Sequence, residues 1–284
     1  MSGTLYVIAT PIGNLEDMSP RAIRLLKEVD LIACEDTRHT SKLSRHFQIE
    51  TPLISYHEHN EEQRTEELIA QLLRGKHIAL VSDAGTPLIS DPGYRLIRAC
   101  REAGLTVVPV PGPSAAIAAL SVSGLPSDRF LFVGFLSRKE STRKKELQWL
   151  AKLPVTLILF ISPHRLPQTL SDIRDHLGSE RHVFLIREMT KVYETAVWGK
   201  LGDVAQKAVE MERRGEFTLV IEGAPAQSEE PPIEIDAAAY VQGLQAQGLS
   251  RSEALKQASR ELGIGKRRLY RLLYGPGRPE SDED

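Results

Sequence analysis

Between residues 4 and 110 the sequence alternates between short apolar runs and longer segments of helical period, and this alternation constrains the fold more than any other feature. Leu5–Ala9, Leu31–Cys34, Pro52–Ser55, Ile78–Ser82 and Thr106–Val110 read as strands. The segments between them read as helices. Ser19 is a natural N-cap, Pro20 suits the first turn, and Ile23, Leu26 and Val29 space one apolar face. A polar helix follows from Thr37 to His46. Glu61–Arg74 points Leu68, Ile69, Leu72 and Leu73 inward and stops at Gly75, and Tyr94–Ala103 completes the set. Regular alternation of this kind predicts a mainly parallel sheet covered on both faces.

A second α/β segment begins near Phe130. Its expected strands are Phe130–Val133, Val155–Ile161, His182–Arg187, Val192–Trp198 and Phe217–Glu222, with helices near Thr142–Leu153, Leu166–His176 and Asp203–Arg213. Gly223–Asp236 is proline-rich and acidic and reads as a linker. A helical segment, Ala237–Tyr274, follows it. The chain of 284 residues therefore divides into α/β domains at 1–121 and 122–224, a linker at 225–236 and a helical module at 237–276.

Composition excludes several classes. With 41% hydrophobic and 26% charged residues and a net charge of −2, the chain looks like an ordinary globular protein. Its two cysteines, Cys34 and Cys100, make neither a disulfide framework nor a zinc site, and no His/Cys cluster has ligand spacing, so no metal is expected. The opening residues lack a basic n-region, and no run approaches a membrane helix, so a cytoplasmic protein is expected. Neither G-x-x-x-x-G-K-[ST] nor a G-x-G-x-x-G after the first strand is present.

Three loops at expected strand ends hold small residues: Thr10–Asn14, Ser82–Pro87 and Pro111–Ala115. Ligands bind outside the carboxyl ends of parallel strands, and small residues let them reach the backbone. Asp83 stands ready to accept from a ligand hydroxyl or amino group. Tight turns account for any one loop, but three at three strand ends point to a small-ligand site.

Read in order, LYVIATPIGNLEDMSPRA, CEDTRHTSKL, SYHEHNE, VSDAGTPLISDPG and VPGPSA resemble the signatures of one branch of the tetrapyrrole methylase superfamily, the ribosomal small-subunit (16S) RNA cytidine-2′-O-methyltransferase I family. The likeness runs from Thr4 to about Gly223, with a similar helical tail. It implies two α/β domains with S-adenosylmethionine in the cleft between them, a homodimer, and methylation of a cytidine ribose in the decoding region of 16S rRNA. By the same resemblance the donor pocket uses Pro11, Asp83, Ala84, Gly85, Thr86, Ile89, Ser114 and Ala115, with Ile161 from the second domain. The porphyrin-modifying branches carry a glycine-rich Asp-Pro first loop and a Gly-Asp-Pro second loop. Here those stretches read ATPIGN and SDAGTP, which argues against a tetrapyrrole substrate.

A ribose hydroxyl must lose a proton on attack, and three groups are candidates to assist. Glu35 and Arg38 follow the second strand, as a proton acceptor and a phosphate or charge partner; a helix start with acids complementing the dipole is the plain alternative. His57, with His59 beside it, follows the third strand, and a histidine can serve as a base. Lys191 stands ready to stabilise an alkoxide, with Glu188 positioning it, or the pair belongs to a charged connection. No one base is singled out.

From Gly248 to Arg278 there are eight basic residues, including Lys266, Arg267, Arg268 and Arg271, and two acids, Glu253 and Glu261, a local balance of +6. Ser250 caps a helix whose Ala254, Leu255, Ala258 and Leu262 face inward. A turn at Gly263–Gly265 leads to a second helix with Leu269, Leu272 and Leu273 on its apolar face, a helix-turn-helix pattern suited to phosphates. Arg138, Lys139, Arg143, Lys144 and Lys145 form a second basic cluster. A small-molecule methyltransferase and a ligand-sensing DNA-binding regulator stay open beside the rRNA methyltransferase.

Overall fold

The computed structural model describes residues 2–225 and 237–262, together with Leu269 and Leu273. The chain divides into two compact units, Met1–Ala224 and Pro225–Asp284.

The first unit holds two five-stranded sheets. In the first, β1 (Thr4–Ile8), β2 (Leu31–Cys34), β3 (Leu53–Ser55), β4 (Ile78–Val81) and β5 (Thr106–Val110) lie in the order β3-β2-β4-β1-β5. Every pair is parallel, as the alternation predicts. Helices α1 (Pro20–Glu28), α2 (Thr37–Phe47), α3 (Glu61–Leu73) and α4 (Tyr94–Glu102) supply the crossovers. β4 shows why its run is continuously apolar. Ile78 and Leu80 join the core under α3 and α4, while Ala79 and Val81 join the opposite core under α1. A strand buried on both faces has no polar side to display.

Local rules fix the helix ends. The Ser19 hydroxyl accepts from the Ala22 N–H with Pro20 at the first turn, so α1 starts where the sequence places it. Its buried face is Ala22, Leu25 and Leu26, with Val29 just beyond; Ile23 packs only partly. In α3, Leu68 and Leu72 are buried but Leu73 is 57% exposed, because only residues about four apart share the sheet-facing stripe.

The second sheet comprises β6 (Phe130–Phe135), β7 (Thr156–Ile161), β8 (His182–Arg187), β9 (Thr195–Lys200) and β10 (Phe217–Ile221), in the order β6-β7-β10-β8-β9. Only β6 and β7 run parallel; the other pairings are antiparallel. β6 is longer than expected because a bulge between Phe132 and Gly134 lets it continue. β9 begins at Thr195 rather than at Val192: Val192 and Tyr193 have strand-like side chains, but they sit 92% and 75% exposed in a turn. Helices α6 (Glu140–Leu150), α7 (Leu166–Leu177) and α8 (Leu201–Ala208) cover one face of this sheet.

The opposite face is covered by α5 (Ala115–Val122), a helix the periodicity did not reveal. Its run, AAIAALSV, has no polar residue until Ser121 and so no helical alternation to read. Ala116, Ala119 and Leu120 pack against Ile158, Phe184, Ile186 and Val220. The helix that follows the first sheet in the chain thus packs on the second.

In the second unit, α9 (Ala237–Ala246) and α10 (Arg251–Glu261) share a small core of Val241, Leu244, Ala254, Leu255 and Ala258, joined by Leu269. The Ser250 cap forms as a reciprocal capping box with Glu253. Gly263–Arg268, Arg271 and Arg278 lie outside the described residues, as does the linker 226–236. No helix among the described residues is long and apolar enough to cross a membrane.

Candidate active site

All five strands of the first sheet end on one edge, and β4, β1 and β5 are neighbours there. Their loops are laced together. Thr10 N–H donates to Gly85 O (2.9 Å) and Gly85 N–H donates back to Thr10 O (3.1 Å). The Thr10 hydroxyl donates to Ser82 O at 3.1 Å, and the Thr86 hydroxyl donates to Pro113 O at 3.0 Å. Gly85 takes φ +83°, and a side chain there would press on Ile12 at 3.3 Å. The glycine is needed for both conformation and close approach.

This edge faces the ends of β6 and β7 and the start of β10, enclosing a cavity of about 430 Å³. That volume lies within the range of small-molecule sites. Of the residues singled out from sequence, Glu35, Asp83, Ala84, Gly85, Thr86, Ile89, Ser114, Ala115 and Ile161 line it together. Sequence reasoning missed Ile12, Ser90, Asp91, Phe135, Phe160 and Gly215–Thr218. Asp91 had a signal, since it lies in the same loop motif; for the second sheet only the resemblance spoke, through Ile161, because nothing local says that the two sheets face each other.

Four carboxylate residues, Glu35, Asp83, Asp91 and Glu216, line this cavity. Burial, reinforced by the charge of Glu35, pushes Asp91 up to about 6. Burial and then the neighbouring Asp83 and Glu58 charges raise Glu35. One Asp83 oxygen accepts from the Asp36 N–H at 3.1 Å, so part of its acceptor capacity is already used. Opposite the acids, the Phe135 and Phe160 rings lie 5.6 Å apart and form an apolar wall.

A second cavity, of about 340 Å³, adjoins the first and shares Ile12, Asp83, Ala84 and Glu216 with it. Pro11, His39, Thr40, Lys42 and Lys191 are among its other lining residues. Lys191 Nζ donates to Glu188 Oε1 at 2.9 Å and to Glu216 Oε2 at 3.4 Å. Burial alone would lower the Lys191 pKa, but the Glu188 hydrogen bond and the Glu216 charge outweigh it and the net shift is upward. Lys191 is therefore a fixed cation. Glu188 is held low by that same bond and lines neither cavity.

Arg38 and His57 also line neither cavity. The Arg38 guanidinium points to solvent, 89% exposed, and pairs with Asp36 at 2.8 Å. His57 Nε2 lies 3.2 Å from the Asn60 amide, and its Nδ1 is buried with no hydrogen-bond partner among the described residues.

The cleft loops are strained. Among the described residues, five non-glycines take positive φ, and four of them, Leu88, Ser90, Glu188 and Thr190, lie in the loops that meet across the cleft. A Cβ on Gly13 would come within 2.7 Å of Thr190 Oγ1 and would collide with Lys191 Cγ, so the first-sheet loop and the 188–191 loop are seated directly on one another.

A parallel sheet opposed to a mixed sheet, with a small-residue cleft at the strand ends, is the architecture of a methylase class. The profile of the family described as Tetrapyrrole (Corrin/Porphyrin) Methylases matches residues 4–205. The fold agrees: a solved uroporphyrin-III C-methyltransferase from Thermus thermophilus, complexed with S-adenyl homocysteine, superposes with a TM-score of 0.53 at 20% identity, covering 77% of this chain and 97% of that one. The chain is also 51% identical over 270 residues to the Ribosomal RNA small subunit methyltransferase I of Synechocystis sp., covering 95% of this chain and 97% of that protein. The protein of the same name from Escherichia coli O157:H7 is 49% identical over 271 residues, covering 95% and 94%. The chain belongs to the tetrapyrrole methylase family and, within it, to the ribosomal RNA small subunit methyltransferase I family.

Proposed function

We propose that this protein transfers a methyl group from S-adenosylmethionine to the ribose 2′-OH of a cytidine in the decoding region of 16S rRNA, acting in the cytoplasm as a homodimer. Residues 1–121 and 122–224 are read as the two donor-binding domains, 225–236 as a linker and 237–276 as an RNA-binding module. The observation that carries the reading is the acid-lined cavity at the carboxyl ends of β1, β4 and β5.

The residues present fit the donor. Its sulfonium and ammonium charges suit a cavity edged by Glu35, Asp83 and Asp91, and the aromatic wall of Phe135 and Phe160 suits a planar base. The small residues of Ala84–Thr86 and Ser114–Ala115 let a ligand approach the backbone, although Gly85 is already paired with Thr10 through both its N–H and its carbonyl. Ile89 and Ile161 add apolar walls, and Pro11 shapes the boundary with the second cavity.

S-adenosylmethionine supplies a methyl group on an already activated sulfur, so the protein's task is alignment and proton management. As the ribose oxygen gains the methyl, its proton must go to a base. Glu35 lines the cavity with a raised pKa, which favours it over His57, and Asp91 is a second carboxylate of the same kind. Lys191 keeps its charge and stabilises negative charge on the attacking oxygen, while Glu188 fixes its position. Arg38, turned to solvent, is left to bind RNA outside the cleft.

Half-exposed apolar residues support a dimer: Ile117 and Val122 on α5 and Trp198 on β9 are 50%, 61% and 56% exposed. Light scattering of the purified protein tests this, and a monomer at working concentration would remove it.

The reading is tested with methyl-labelled donor and three acceptors: small ribosomal subunits, naked rRNA and tetrapyrroles. Label is expected on a cytidine ribose of small-subunit RNA. Label on a base instead would remove the 2′-O assignment, and label only on a tetrapyrrole would overturn the RNA substrate.

A further inference from the structure

The two adjoining cavities differ in charge. The larger carries Glu35 and Asp91 beyond the acids both share, and among the described residues no lysine, arginine or histidine lines it. The smaller adds His39, Lys42 and Lys191. We propose that the smaller cavity seats the acceptor nucleotide, with Lys42 and His39 of α2 holding the phosphate beside the modified ribose and Lys191 facing the reacting hydroxyl. This rests on the RNA methyltransferase reading above and adds the place and the residues for its acceptor.

Three observations carry the assignment. The first is contiguity. The cavities meet at Ile12, Asp83 and Ala84, so an acceptor in one lies beside a donor in the other, and transfer needs nothing to cross solvent. The second is helix geometry. His39 and Lys42 are three residues apart on α2, so they share one face, and Thr40 and Leu43 complete the wall on the same side. Arg38 is on another face and spends its charge on Asp36. The third is the state of each cation. Lys191 is held by Glu188 and Glu216, whereas Lys42 is exposed and no described carboxylate pairs with it. A fixed cation suits a position beside reacting atoms. An unpaired, solvated one suits a phosphate that arrives from solution and loses little on being bound.

Separation of charge also explains why two cavities serve better than one. The phosphates of a polyanion would be repelled by the acids of the larger cavity, leaving only its ribose hydroxyl to reach Glu35 across the shared boundary, and a cationic donor approaching Lys42 and Lys191 would be repelled too. Each ligand is steered to its own side, with Asp83 and Glu216 at the boundary.

The test compares Lys42→Ala, Lys42→Glu and His39→Ala with wild type, using Lys27→Ala on the exposed side of α1 as the control. Methylation of small ribosomal subunits, donor affinity by calorimetry, and binding of a single-stranded oligoribonucleotide by anisotropy are measured across a salt series. Lys42→Ala is expected to raise KM for RNA about tenfold and weaken oligoribonucleotide binding to match, as for a lost charge-assisted hydrogen bond. Lys42→Glu is expected to exceed it. Donor affinity and kcat should stay within about twofold, and the slope of log affinity against log salt should become shallower by about one. Because Lys42 is an exposed helix residue, its alanine variant should fold normally. Unchanged RNA affinity and salt slope in both Lys42 variants, with wild type active on RNA, would overturn the acceptor site alone. Wild type that labels no RNA would take the RNA reading down with it.

Discussion

At the residue scale the cleft is governed by how its acids and the fixed cation of Lys191 share charge. Asp91 sits at about 6 against an ordinary 3.8. The folded protein therefore binds more protons than the unfolded chain between those values, and stability falls as pH rises through that window. Asp91→Asn, which mimics the protonated form, should raise Tm by about 2–4 °C near pH 7.5 and lose that gain near pH 4. An equal shift at both pH values would show that Asp91 is not the titrating group. A cationic donor favours the ionised form, so wild-type donor affinity should rise as pH climbs through about 6, and that rise should be absent in Asp91→Asn. Lys191→Met should lower kcat about 10²-fold with little loss of donor binding, and Lys191→Arg should recover part of it. An unchanged kcat would reduce Lys191 to a structural ion pair with Glu188 and Glu216.

At the scale of elements, the strained loops matter more than the helices that support them. The 188–191 connection has two left-handed non-glycine residues, a buried Thr190 hydroxyl with no partner among the described residues, and Gly13 pressed against it. Such strain persists only where the surroundings enforce it. Gly13→Ala places a methyl where Thr190 and Lys191 already are, so the loop must shift. We expect kcat to fall at least tenfold while donor affinity changes less than about threefold, because sub-ångström misplacement costs rate before it costs binding. If kcat survives, the loop's position is not part of the chemistry. The sequence marked Lys191 and Glu188 as candidates, with a charged connection as the alternative, but nothing in it revealed the strain of these segments. It placed ATPIGN, SDAGTP and PGPSA at strand ends, and the structure joins them through the Thr10–Gly85 pair and the Thr86–Pro113 bond. It missed α5, since an apolar run without a polar face has no period to detect. It also extended β9 back to Val192, whose strand propensity is overridden by the turn ending at Glu194.

For the whole molecule, Met1–Ala224 contains both cavities, while Pro225–Asp284 has a small core of its own. Truncation after Pro225 should leave donor affinity and the melting of the α/β unit nearly intact while weakening RNA binding at least tenfold and flattening its salt dependence. Calorimetry with the donor and anisotropy with RNA separate the two effects. A parallel loss of donor affinity would mean that the tail supports the cleft, and unchanged RNA affinity would leave the RNA entirely to the α/β unit.

The parallel sheet, the loops at its strand ends and the first-sheet half of the proposed donor site were legible in the residues alone, because hydrophobic period, caps and small-residue turns are local properties read within a few residues. Packing of the two sheets settled that the ends of β6 and β7 and the start of β10 close that site, that the half-buried Glu35 and Asp91 line it together, and that Lys42 rather than Arg38 faces a cavity. Those outcomes depend on which surfaces lie opposite one another. Opposition between segments more than a hundred residues apart is set by packing and desolvation, which no local pattern encodes.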